Sequence, residues 1–109
     1  MVGYDEEKAV AFIVKHLKKK DFPRLWPEIP GMLLEFIRAD QRYMLEQGVL
    51  DADGYAGEEE YDPDEAMETI YQEWLENHPD QQDEDLEVAQ LLDAYQEWND
   101  AYLERVGLA

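Results

Sequence analysis

Four stretches of this chain repeat apolar residues every three or four positions, and no stretch alternates them convincingly with polar ones. A spacing of three or four puts side chains on one face of a helix, whereas a half-buried strand needs a period of two. Proline and glycine separate the stretches. The expectation is an all-α fold of four main helices, in a compact antiparallel, bundle-like arrangement with one longer loop at about 49–61. A chain of 109 residues suffices for one domain with a hydrophobic core, so 1–109 is read as a single helical domain.

The first helix is expected from Asp5 to Lys20. Asp5 suits the N-cap, and Glu6 and Glu7 suit the positive end of the helix dipole. Val10, Ile13, Val14 and Leu17 form its apolar stripe, with Phe12 beside it. Lys18, Lys19 and Lys20 would sit at the negative end, where dipole compensation explains them better than nucleic-acid binding. Pro23, Pro27 and Pro30 then break the helix, with Leu25, Trp26 and Ile29 pinned to the core rather than offered to a partner.

A second helix is expected from Pro30 or Gly31 to Gln47. Gly48 stands just past its end, and Val49 is able to fold back on the last turn. Leu33, Phe36, Ile37, Tyr43 and Met44 mark the inner face, and Asp40 falls on that same face. The third helix opens with Asp62 as cap, Pro63 at the first position and Glu65 three residues on, a capping-box spacing. Met67, Ile70, Tyr71, Trp74 and Leu75 face inward before "NHPD" ends it. The fourth runs from about Asp83 to Val106, with Val88, Leu91, Leu92, Tyr95, Trp98, Tyr102 and Val106 as its stripe and Gly107 as its stop. "YQEW" occurs at Tyr71–Trp74 and again at Tyr95–Trp98, but the flanks do not match, and shared packing demand explains it.

Several chemistries are excluded or weakened. There is no Ser and no Cys, and Thr69 is the sole small hydroxyl, so triad and thiol nucleophiles are absent. His16 and His78 are the only imidazoles, and neither stands in a zinc or di-iron spacing. No glycine-rich phosphate loop is present. The longest apolar run is six residues, Ala9–Val14, too short for a membrane span, and no segment resembles a signal peptide. The expected location is the cytoplasm. His16 shares a face with Phe12 and Ile13, where it would meet Asp40. An enzyme built on His16 and Asp40 is thus one alternative reading.

The stretch "DADGYAGEEEYDPDE", residues 51–65, suggests a calcium loop. With Gly54 at loop position 6, Asp51, Asp53 and Glu60 fall at positions 3, 5 and 12, but Val49 occupies position 1. Starting from Asp51 instead puts Tyr55 at position 5 and Ala56 where glycine is needed. Either register breaks the pattern. Asp51, Asp53, Glu58 and Glu60 remain weak candidates for a divalent cation, no cofactor is otherwise implied, and two tyrosines in this loop leave room for short strand pairing.

Charge separates the two halves. Residues 1–48 carry eight acids and eight Lys or Arg, while residues 49–109 carry twenty acids and Arg105 alone. The whole net charge of −19 lies in the second half. Self-repulsion at that density calls for a counter-charge or a use. At 1.5 Å rise per residue, the third helix carries one acid per roughly 4 Å of axis and the fourth one per roughly 4.5 Å. Side by side they present at most one charge per roughly 2 Å, near the ~1.7 Å of duplex DNA. The expected function is therefore a non-enzymatic binding or regulatory module that meets a basic protein surface, with nucleic-acid mimicry as its sharper form. Glu65, Glu68, Glu73, Glu76, Glu87, Asp93, Glu97 and Asp100 are the candidate contact residues. Direct nucleic-acid binding is not expected, and the sequence does not set the oligomeric state.

Overall fold

The computed structural model describes residues 3–53, 55, 57–80 and 85–107. Four helices run in chain order: α1 (Glu6–His16), α2 (Ile29–Glu46), α3 (Pro63–Asn77) and α4 (Asp85–Arg105). α1 packs on α2 and α4, and α3 packs on the same two, so the four close into a ring around one core. Among the described residues there is no strand; Leu50 forms one isolated bridge. Pairs at 35–78, 42–73 and 43–61 show α3 running antiparallel to α2. The expected start of α4 at Asp83, and Gly54 and Ala56 of the calcium registers, lie outside the described residues.

The caps explain most of the boundaries. Asp5 Oδ1 accepts the Lys8 N–H at 3.1 Å, and Asp62 Oδ1 accepts the Glu65 N–H at 3.2 Å, each satisfying a first-turn donor that has no intrahelical partner. At the end of α2, Gly48 takes a left-handed φ of +77°. Its N–H reaches Leu45 O and the Val49 N–H reaches Met44 O, the paired bonds of a Schellman turn. Gly57 then crosses so near this turn that a Cβ would sit 2.1 Å from the Gly48 carbonyl oxygen. The two glycines together let the loop fold back. Leu50 is buried there with Tyr43, Met44 and Ala66 in a small second cluster.

α1 ends four residues before the expected Lys20. The apolar stripe stops at Leu17, so nothing in the lysine run can be buried by continuing the helix. Leu17 and Lys18 adopt extended backbone, a 3₁₀ turn covers Lys19–Asp21, and Phe22 turns into the core. His16 Nδ1–H caps the exposed carbonyl of Phe12 at 2.8 Å. Lys15 and His16, not Lys18–Lys20, are thus the basic residues of the last turn. A second 3₁₀ turn, Trp26–Glu28, leads into α2, with Leu25 and Ile29 buried on either side.

Every expected inner residue of α2 is buried, and so are Ile70 and Trp74 of α3 and Val88, Leu91, Leu92, Tyr95 and Tyr102 of α4. Val106, assigned to the stripe, is 42% exposed, because the helix ends at Arg105 and the chain leaves the core. Small residues expected on no face, Ala9, Ala39 and Ala66, are buried where helices approach. No helix among the described residues is long and apolar enough to cross a membrane.

Candidate acidic interface

α3 and α4 direct their apolar faces inward, which sends the intervening carboxylates out. In α3, Ala66, Ile70 and Trp74 recur every four residues on the buried side. Glu65, Glu68 and Glu76 therefore fall on the exposed side, as do Asp93, Glu97 and Asp100 of α4. The two other candidates are different. Glu73 is half-buried and ion-paired with Arg42, and Glu87 is half-buried beside Arg24, whose backbone N–H donates to Glu87 Oε1 at 3.1 Å and whose guanidinium Nε lies 4.0 Å from Glu87 Oε2. The eight candidates thus divide into two engaged by arginines of the charge-balanced half and six exposed acids with no ion pair among the described residues.

Two grooves flank α3. The groove towards α2, about 670 Å³, is lined by Glu46, Glu68, Glu73 and Glu76 around Ala39, Tyr43 and Thr69, with Arg42 on the same wall. The groove towards α4, about 240 Å³, has Met67, Tyr71 and Leu92 as an apolar floor, acids Asp64, Glu68 and Asp93 at its edges, and no basic residue. Glu68 borders both, and Asp93 borders the second and also the groove between α4 and α1, where Glu97 lies. Acids thereby line three adjoining grooves, a band running from Glu76 through Glu68, Asp64 and Asp93 to Glu97. The expected one charge per roughly 2 Å is reduced by the pairing of Glu73 and Glu87. At the far end of α4, burial and then the neighbouring Glu104 raise the Asp100 carboxyl above its ordinary range.

Asp40 does not meet His16. It is 3% exposed and lies at the centre of a tyrosine network. The hydroxyls of Tyr61 and Tyr95 donate to its two carboxylate oxygens, each at 2.8 Å. Asn99 Nδ2–H reaches the Tyr95 oxygen at 3.5 Å, and the Tyr4 hydroxyl donates to Asn99 Oδ1. Burial pushes the Asp40 carboxyl up, the two tyrosine hydroxyls pull it down, and Asp100 adds to the rise. The same burial, with the nearby Asp40 charge, raises the hydroxyls of Tyr61 and Tyr95. One carboxylate thus ties α2 to the segment before α3, to α4, and through Asn99 to the segment before α1. His16 instead is exposed, its ring stacked on Trp98 at 4.2 Å. The expected acid–base pair is separated because α1 ends at His16 and turns it outward.

The acidic loop is organised by its own backbone. Asp51 Oδ1 accepts the N–H groups of Asp53 and Tyr55, both at 3.0 Å, and the Asp51 N–H donates to Tyr55 O at 2.8 Å. Asp53, Glu58 and Glu60 are exposed, and among the described residues no three His, Cys, Asp or Glu side chains converge as a metal site. Sequence reasoning missed Asp64 and Glu46 as groove acids, although Asp64 stands one turn before Glu68 on the helix and was legible from that spacing. It also missed the partners of Asp40, Tyr61 and Tyr95, which come from two separate segments.

Fold and surface together define an all-α, ring-packed bundle with an acidic band across its last two helices. No protein-family model, curated protein or solved structure matches this chain.

Proposed function

We propose that this chain is a non-enzymatic binding or regulatory module whose α3–α4 surface engages a basic protein surface, standing in for a phosphate backbone. The observation that carries the reading is the α3–α4 groove: exposed Asp64, Glu68 and Asp93 border an apolar floor with no basic residue among the described residues, and Glu76 and Glu97 extend the acids to the grooves on either side. Carboxylates interspersed with bases keep a protein in water without building a large single-sign field. Among the described residues Arg42 and Arg24 are engaged by Glu73 and Glu87 at the edges, and Lys18 lines the groove of Asp93 and Glu97 without an ion pair to either, so most of the band has no paired counter-charge. A basic partner gains steering from such a field, and the floor of Met67, Tyr71 and Leu92 adds apolar contact area for specificity. The cytoplasm, where nucleic-acid-binding surfaces are available as targets, is the setting we assign.

Affinity capture with the full chain tests this. Proteins held at low salt should be released by salt and by added duplex DNA, and Glu68→Lys combined with Asp93→Lys should abolish capture. Capture that survives both duplex DNA and the double variant would place the interface elsewhere and end the mimic reading. A second reading, divalent-cation binding through Asp51, Asp53, Glu58 and Glu60, is tested in the same buffers by calorimetry with calcium. We expect no affinity tighter than roughly 10⁻⁴ M, since the loop ligand set is incomplete.

A further inference from the structure

We propose that the cleft between α1 and the end of α4 binds a small organic anion: a flat ring carrying a phosphate or a carboxylate. The cleft encloses about 320 Å³, with Lys8, Lys15 and His16 from α1 and Arg105 from α4 around Phe12 and Tyr102. Lys8, Phe12 and Lys15 follow at helical spacing, so α1 presents them on one face, and Arg105 arrives from the other helix. Among the described residues, no carboxylate lines the cleft.

That absence is unexpected in a chain of 28 acids and 9 Lys or Arg. Arg24, Arg38 and Arg42 each meet a carboxylate, whereas no lysine forms an ion pair among the described residues, so what sets this cleft apart is the make-up of its lining rather than the lack of pairs. Lys8, Lys15 and Arg105 have no ion pair among the described residues. The adjoining groove shows the ordinary outcome: there Lys18 shares its walls with Asp21, Asp93 and Glu97. Cations brought together without a counter-charge repel one another, and a bound anion removes that repulsion.

The aromatic residues fix what else the ligand carries. The Phe12 and Tyr102 rings lie 5.7 Å apart, and the His16 ring lies 4.6 Å from Phe12. The Arg105 guanidinium carbon stands 5.9 Å from the Phe12 centroid, which favours the cation beside the aromatic wall. A flat ring can pack against this wall while its anionic group meets Lys8, Lys15 and Arg105. Volume and charge limit the size of the occupant. About 320 Å³ is at the small end of ligand pockets, which span roughly 300–1,000 Å³. A polyanion such as nucleic acid would be repelled by the acidic band, whereas a compact anion feels mainly the cations beside it.

Amide NMR on the full chain distinguishes the outcomes, with phenyl phosphate and benzoate as probes and inorganic phosphate and phenol as controls. Saturable shifts confined to Lys8, Phe12, Lys15, His16 and Arg105 are expected with at least one probe, and the tighter of the two tells phosphate from carboxylate. Phenol and inorganic phosphate should bind at least about tenfold more weakly, each lacking one half of the recognition. Lys15→Ala combined with Arg105→Ala should weaken the better probe by about tenfold or more, with the α2 and α3 signals unmoved. All these side chains reach solvent, so the fold is retained. The proposal is overturned by three results: no saturable shift with either probe, unchanged affinity in the double variant, or cleft shifts that follow protein concentration alone. The last would mean that the acids of a second copy fill the cleft.

Discussion

Residues 1–48 and residues 49–109 both send large apolar side chains into the core yet differ by the entire net charge of the molecule. The first part contributes Ile13, Leu25, Leu33, Phe36 and Ile37 to the centre of the core, and the second contributes Ile70, Trp74, Val88, Leu91 and Tyr95. Outside, the first is neutral and the second carries −19. Inward faces are set by the packing that closes the ring. Outward faces answer to little in the fold, so a charge difference confined to them points to use rather than to folding. Among the described residues, three contacts between oppositely ionisable side chains join the parts, Arg24–Glu87, Arg42–Glu73 and Glu35–His78.

The hardest test of that shared core is mutational. Phe36→Ala in one part and Trp74→Ala in the other should each cost about 3–5 kcal/mol, since both are almost fully buried and leave cavities. Trp98→Ala should cost clearly less. Trp98 is half-buried and covered on one side by His16, a geometry the sequence reading did not anticipate when it placed all α4 aromatics on one inner stripe. Denaturant midpoints decide. If Trp74→Ala is mild while Phe36→Ala unfolds the protein, the acidic part is a lightly docked appendage and the comparison fails.

What was legible follows the same inside–outside line. Helix existence, the caps at Asp5 and Asp62, the Gly48–Val49 turn and the inner faces were readable, because each depends on residues within one or two turns of sequence. The end of α1 was not, because it is decided by Phe22 finding the core from beyond the lysine run. Asp40 was noticed on an apolar face but given the wrong partner. Its hydroxyl donors come from Tyr61 and Tyr95, 21 and 55 positions away, and a local pattern holds no record of such distances. The acidic band was visible as charge, but the pairing of Glu73 and Glu87 and the apolar floor of the α3–α4 groove depend on how the helices pack.

Asp40 gives the intermediate effect, since its network crosses between the two parts. Asp40→Ala should cost about 1–3 kcal/mol, because two tyrosine hydroxyls lose their acceptor in a buried place. Asp40→Asn keeps the shape and can still pair with both hydroxyls, so it reports on charge. The folded carboxyl is raised, chiefly by burial, and so the folded protein holds that proton more tightly than the unfolded chain does. This contribution to stability is fully present below the ordinary carboxylate range and is lost as pH rises through the raised folded value. Asp100, raised in the same direction, acts with the same sign. Melting temperature should therefore be higher at pH 5.5 than at pH 8, and Asp40→Asn should narrow the gap. An unchanged gap would assign the pH dependence to the exposed acids alone.

The smallest effects are expected on the surface, where the two parts differ most. Arg42→Ala exposes Glu73 without a partner, but Arg42 and Glu73 keep 53% and 33% of their side chains in water, so about 0.2–1 kcal/mol is the expected loss. Glu68→Lys with Asp93→Lys should act oppositely. It reverses two charges in the acidic band, which relieves repulsion in the fold while destroying the surface proposed for binding. In dilute buffer the double variant should melt above the parent. At ~0.15 M salt, where the Debye length is about 8 Å, the advantage should shrink because screening already relieves the parent. Thermal scans of both proteins across a salt series read this directly. A parent whose melting temperature ignores salt, and a double variant that melts no higher than it, would mean the band is already neutralised by a cation or a second chain. The acids of residues 49–109 would then be a structural charge with its counter-charge in place, and the basic-partner reading would lose its support.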